Sequence, residues 1–99
     1  MARFDVYRNP EGAGYLLDCQ ANLLASLNTR FVVPLLPVDR APAPAGRLNP
    51  IFDIAGGKHV MVTQFAAAVS VSLLKEKVMC FAADDIVIGN AIDMLLAGY

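Results

Sequence analysis

The sequence predicts an α+β fold, mainly antiparallel β, closed by one C-terminal helix. Three observations carry that prediction. Short apolar stretches with strand-like composition recur along the first three quarters of the chain, separated by turn formers such as NPEGAG (9–14) and AGGK (55–58). Only the last stretch, from DDIVIGN onward, holds a helical period for several turns. All the strand candidates precede that helix. This order disfavours the βαβ alternation of a parallel nucleotide-binding sheet. No repeat and no composition break divides the chain, so residues 1–99 are expected to form a single domain.

The elements follow in order. Phe4–Tyr7 alternates, with Phe4 and Val6 on one face and Asp5 and Tyr7 on the other. The NPEGAG turn joins it to a second strand, Tyr15–Cys19, as a hairpin. Residues 20–29 are mixed, and Leu23, Leu24 and Leu27 fit either a brief helical turn or a loop. RFVVPLL (30–36) is strand-like, but Pro34 lacks the donor a ladder needs, which places it at an edge or a bulge. Residues 37–50 carry Pro37, Pro42, Pro44 and Pro50 and read as a long irregular loop. IFDI (51–54) and HVMVTQ (59–64) flank AGGK as another hairpin. VSVSL (69–73) alternates at period two and reads as a half-buried strand. Asp84 or Asp85 then caps a helix running to about Leu96.

Within that helix, Ile88, Ala91, Ile92 and Leu95 form one apolar stripe suited to packing on the sheet. Ile86, Asn90, Asp93 and Ala97 form a second line with no obvious internal use. Gly89 weakens the helix by about 1 kcal/mol relative to Ala. It either admits another backbone or is merely tolerated. Gly98 suits a left-handed C-cap. Tyr99 follows it, either folded back on the core or free to face outward.

Hydrophobic residues make up 57% of the chain and charged residues 17%, against roughly 25% charged in a typical domain. A small domain has little interior to absorb that excess, so part of it is expected at an interface, most simply in a two-fold homodimer. The net charge of −1 and the scattered cations, densest at Lys75 and Lys77, argue against direct nucleic-acid binding. A protein partner fits better. Cys19 and Cys80 have no CxxC spacing and are expected to be buried free thiols of a cytoplasmic protein. Arg3, Asp5 and Arg8 interrupt any signal-peptide core, and no apolar run reaches the ~18 residues of a membrane span. The chain is therefore expected to be soluble.

No reaction centre emerges. His59 reads as a half-exposed strand residue, without neighbours at metal-ligand spacing. Asp84 and Asp85 suit a helix N-terminus better than acid/base chemistry. Ser70 and Ser72 lie on a polar strand face with no nucleophile elbow around them. The glycines of GAG (12–14) and AGGK are turn glycines, not a phosphate loop. Neither enzyme activity nor a cofactor is expected.

FDVYRN, YLLDCQ, TRFVVPLL, LNPIFDI, VSVSLLKEKV and NAIDMLLAGY occur in this order over nearly the whole chain. Together they resemble the CcdB family, the toxin half of a bacterial toxin–antitoxin pair. The resemblance implies a two-fold dimer of an SH3-like antiparallel domain with a C-terminal helix. It implies poisoning of DNA gyrase, by binding the gyrase A subunit and trapping the enzyme on cleaved DNA, with no catalysis by the toxin. It also implies a cognate CcdA-like antitoxin whose disordered segment wraps the toxin, the pair repressing its own operon. The gyrase-contacting positions it implies are Leu23, Leu24, Asp93, Ala97, Gly98 and Tyr99. Ala97 departs from the family, which has Trp there. Two alternatives share the fold. One is an RNA-cleaving toxin, for which Arg30, His59 and an Asp would have to converge. The other is an inactive relative that retains only antitoxin binding. The NPEGAG turn and the 37–50 loop are candidate antitoxin contacts.

Overall fold

The computed structural model describes residues 1–98; Tyr99 lies outside the described residues. Seven strands form one antiparallel sheet: β1 (Asp5–Arg8), β2 (Tyr15–Asp18), β3 (Thr29–Pro37), β4 (Ile51–Ile54), β5 (Gly57–Met61), β6 (Ala67–Ser70) and β7 (Lys77–Cys80). The hydrogen-bonded order is β4-β5-β3-β2-β1-β7, with β6 also paired to β3. The sheet curls into a half-barrel, and helix α1 (Asp85–Ala97) closes the chain.

The long strand β3 organises this arrangement. One side pairs with β2 along Val32–Leu35. The other side is shared: Thr29–Val32 pairs with β6, and Leu35–Pro37 pairs with β5. Pro34 falls between the two pairings. Its carbonyl accepts a 3.0 Å hydrogen bond from the Val62 N–H on that same side. The N–H that Pro lacks would also point there, at the gap where the chain leaves the ladder for the turn at Thr63–Phe65. Pro34 is thus neither on an edge strand nor at a bulge. An interior strand accommodates it because its partner changes at that residue.

The strands bury two apolar clusters on opposite faces. The larger holds Phe4, Val6, Leu17, Val33, Leu35 and Met61 beneath Ile88 and Ala91 of the helix. The smaller holds Tyr7, Leu16, Val32 and Leu74, with Val69 against it. Period-two alternation sends neighbours to opposite sides, so the predicted faces of the first strand hold. Asp5 nevertheless lies buried, with Lys77 Nζ 3.3 Å from its Oδ1. Phe4 precedes β1 at φ 71°, a conformation that costs a non-Gly residue about 1–3 kcal/mol. Both its backbone groups are paired, the N–H to the Asp18 carbonyl and the carbonyl to the Phe81 N–H, and its ring is buried.

Several expectations change. The VSVSL strand stops at Ser70. Residues Val71–Leu73 form a 3-10 turn, and the Ser70 hydroxyl accepts from the Ser72 N–H. β7 is absent from the sequence reading, because KEKVMC mixes charge and apolar residues without a period; its partner β1 lies some seventy residues away in sequence. Cys80 lies exposed on β7, whereas Cys19 is buried as expected. The 37–50 loop is anchored: Asn49 is buried, donates to the Met61 carbonyl (3.0 Å) and to Gln64 Oε1 (2.8 Å), and accepts from the Ala45 N–H (2.9 Å). The Thr63 hydroxyl donates to the Leu48 carbonyl. Leu48 and Thr63 belong to the turns on which the helix packs.

Candidate interaction surface

The helix seats one stripe and presents another. Ile88 and Ala91 are fully buried and Ile92 half-buried, as periodicity predicts. Burying Ile88 contributes about 1.5–3 kcal/mol. Leu95, assigned to the same stripe, is instead exposed, because the helix has by then run past the turns that support it. Ile86, Asn90, Asp93 and Ala97 are all exposed, as expected of the spare line. The outward face is more apolar than that line alone, since Val87, Met94 and Leu96 join it, and both Ile86 and Leu96 are 74% exposed.

Neither Asp84 nor Asp85 caps the helix through its side chain. Asp84 occupies the cap position and Asp85 the first turn, where a carboxylate still meets the positive end of the dipole. At the other end Gly98 takes φ 85°, and its N–H donates to the Met94 carbonyl at 3.0 Å. This is the left-handed cap the sequence predicts. A Cβ on Gly89 would meet nothing within 4 Å, so among the described residues no second backbone explains that glycine.

Leu23 and Leu24 lie on a 3-10 turn, Asn22–Leu24, between β2 and β3. Leu23 is 92% exposed. The Asn22 side chain accepts from the Arg3 N–H (2.8 Å), and the Gln20 side chain donates to the Leu24 carbonyl (3.0 Å), so the turn is held with its leucines outward. Among the described residues no hydrogen bond joins this turn to α1. Leu23, Leu24, Asp93, Ala97 and Gly98 are thus all at the surface. Tyr99, the remaining site residue, lies outside the described residues.

Among the described residues, the titratable side chains singled out by the sequence lie apart. Arg30 is fully buried on the face of the smaller cluster. Its Nε and Nη2 lie 2.9 and 2.7 Å from Asp18 Oδ2, and Asp18 is equally buried. His59 is also buried, not half-exposed as the sequence suggested. It sits on β5 in alternation with Met61, on the face of the larger cluster, edge-on to Tyr15 at 5.2 Å, with Nδ1 3.0 Å from the Gly57 carbonyl. Arg30 and His59 therefore occupy opposite faces of the sheet. Burial, with the Asp5 and Asp18 carboxylates nearby, holds the Tyr7 phenol above its ordinary pKa. Burial pushes the Cys19 thiol up to about 12, so it is a poor nucleophile. Among the described residues no group of three His, Cys, Asp or Glu side chains is placed to hold a metal ion. No helix among them is long and apolar enough to cross a membrane.

Comparison with solved structures finds a similar fold in an endoribonuclease in complex with its cognate antitoxin, from a mycobacterial species. The match has 16% identity and a TM-score of 0.76, and covers 97% of this chain and 94% of that one. At that identity the likeness concerns the fold alone. Comparison with curated proteins finds no match. The family model described as CcdB protein matches residues 3–98, nearly the whole chain. With an outward apolar helix end and a left-handed Gly98, and matched by that model over residues 3–98, the chain belongs to the CcdB family of toxin–antitoxin toxins.

Proposed function

We propose that this protein is a toxin that binds the DNA gyrase A subunit through the ends of its terminal helices, traps the cleaved gyrase–DNA complex, and is neutralised by a cognate antitoxin. Family membership across residues 3–98 carries the reading. The exposed placement of Asp93, Ala97, Gly98, Leu23 and Leu24 is consistent with it. Ala97 removes the aromatic anchor the family carries there, and loss of a central anchor costs roughly 2 kcal/mol or more of binding. Tyr99 is the aromatic residue next to the Gly98 cap and is proposed to supply that surface instead.

The toxin acts as a homodimer in this reading. The apolar outward face of α1 favours self-association, as does the uncharged run Gln64–Leu74, which includes the open strand β6. Catalysis has no part in it. The RNA-cleaving alternative needs Arg30 and His59 together, and they lie on opposite sheet faces.

The test is expression of the full chain and of a form lacking Gly98 and Tyr99, followed by a gyrase cleavage-complex assay on both purified proteins. The full chain should arrest growth and accumulate cleaved DNA. The truncated form should do neither while keeping its dimer and its melting temperature. Harmless overexpression of the full chain would favour an inactive relative. Cleavage of RNA by the purified protein would favour the nuclease.

A further inference from the structure

The chain between β6 and β7 has to cross the sheet. β6 pairs with the side of β3 away from β2, and β7 with the side of β1 away from β2, so residues 71–76 pass over β3, β2 and β1. They cross on the face of the smaller cluster, because Leu74 packs there with Tyr7, Leu16 and Val32. On the same face lie Arg30 of β3 and Asp18 of β2, both fully buried. Val69, the register partner of Arg30, flanks the pair on one side; Lys77, 3.3 Å from the buried Asp5, stands at the other end of the row.

Little fastens this crossing to the sheet. Within Val71–Glu76 only Leu74 is buried, and Ser72, Lys75 and Glu76 are exposed. The hydrogen bonds along it are local: the Leu74 N–H donates to the Val71 carbonyl at 3.1 Å and the Ser72 N–H to the Ser70 hydroxyl at 3.3 Å. The bonds to its surroundings sit at its ends, where the Val71 N–H donates to the Asn28 carbonyl and the Arg8 N–H to the Glu76 carbonyl, both at 2.9 Å. Among the described residues no hydrogen bond ties residues 72–75 to β1, β2 or β3. The ion pair beneath is poorly served in this closed state, because Nη1 and Nη2 of Arg30 are buried without an aligned hydrogen-bond partner. Water would satisfy both, so hydration of the guanidinium offsets part of what is lost when Leu74 is uncovered.

We propose that Val71–Glu76 is a strap that lifts off this face as a unit while its two ends and the sheet stay in place, admitting water to the Arg30–Asp18 pair. The slack for that motion lies in the 3-10 turn Val71–Leu73. Extending the turn from about 2.0 to 3.3 Å of rise per residue lengthens the crossing by roughly 4 Å. The two local bonds that break belong to a turn at the surface, where water replaces them. The lifted strap uncovers Tyr7, Leu16 and Val32 beside the guanidinium, on the face opposite α1. Segments with few buried contacts are the ones that open locally without global unfolding.

Hydrogen exchange on the unsubstituted chain, followed by NMR across a urea series, tests this. The Arg30 Nε–H, which donates to Asp18 Oδ2 at 2.9 Å, reports the lifting. The Leu17 N–H, in the interior strand β2, reports global unfolding. After correction for intrinsic rates, the Arg30 Nε–H should open at least about tenfold more often than the Leu17 N–H, with under half its urea slope, because little surface is uncovered. The amides of Val71 and Arg8, at the two ends of the strap, should exchange more slowly than the Arg30 Nε–H. In a Cys80→Ala background, Leu74→Cys adds a thiol that should be labelled under native conditions at least about tenfold faster than Cys19, which is buried in the cluster under the helix. Equal opening and equal urea slopes for Arg30 and Leu17 would overturn the proposal. So would Val71 or Arg8 amides exchanging in step with Arg30, or the two thiols reacting together.

Discussion

Replacing Arg30 by Met should be among the most damaging single changes in this chain. Arg30 and Asp18 have no exposed side-chain surface, and two guanidinium nitrogens sit within hydrogen-bonding range of one Asp18 oxygen, at 2.7 and 2.9 Å. Without Arg30, the Gln20 N–H on Oδ1 is the one remaining hydrogen-bond partner of the Asp18 side chain among the described residues. Breaking a buried pair from one side costs about 3–5 kcal/mol, because the surviving charge has neither water nor a counter-ion. In a domain of this size that lowers the melting temperature by about 15–30 °C. It removes much of a total stability of roughly 5–15 kcal/mol. The pair itself is not an efficient stabiliser: Nη1 of Arg30 is buried without a partner, and Nη2, though 2.7 Å from Asp18 Oδ2, is not aligned for a hydrogen bond. The double variant Arg30→Met, Asp18→Leu should therefore recover most of the loss. Urea denaturation of wild type, both single variants and the double variant measures the coupling directly. A cost below about 1 kcal/mol for Arg30→Met, or a double variant as unstable as the sum of the singles, would refute the reasoning.

Other outcomes follow from local geometry. Gly14→Ala should destabilise by more than about 2 kcal/mol in the same assay, because Gly14 sits at φ 86° and a Cβ there would run into the Leu35 carbonyl. Ala55→Asn should stabilise by about 0.5–1 kcal/mol, because Ala55 holds φ 52° in the two-residue turn between β4 and β5, where Asn is favoured ahead of Gly56. Asn49→Ala should cost about 2–3 kcal/mol and speed amide exchange in the 41–48 loop, since the buried Met61 carbonyl would lose that donor. In thiol titration of the native protein, Cys80 should react rapidly and Cys19 only on unfolding. The folded Cys19 thiol keeps its proton to about pH 12, whereas the unfolded one releases it near 9. Stability should therefore be fully present below pH 9 and fall as pH rises above it, and Cys19→Ala should flatten that slope.

Residues near in sequence made much of this protein legible. The hairpins at NPEGAG and AGGK, the faces of β1, the stripe of Ile88 and Ala91 and the Gly98 cap all follow from turn chemistry or from periods of two and 3.6. Those are properties of the chain's own backbone. The exposed line through Asn90, Asp93 and Ala97 was legible for the same reason. The ordered motifs pointed to the family, whose model spans residues 3–98.

Tertiary structure decided what depends on a distant partner. KEKVMC becomes strand β7 only because β1 lies beside it. Pro34 is tolerated inside the sheet only because β5 gives way to β6 at that point. Asp18, Arg30 and Asp5 have ordinary charged side chains in the sequence. Each is buried because strand pairing places it on the covered second face, with an opposite charge in reach. Leu95 is exposed and His59 enclosed because the apolar surface they could meet ends before one and surrounds the other. Sequence periodicity fixes which way a side chain points; only the assembled sheet determines what it meets there.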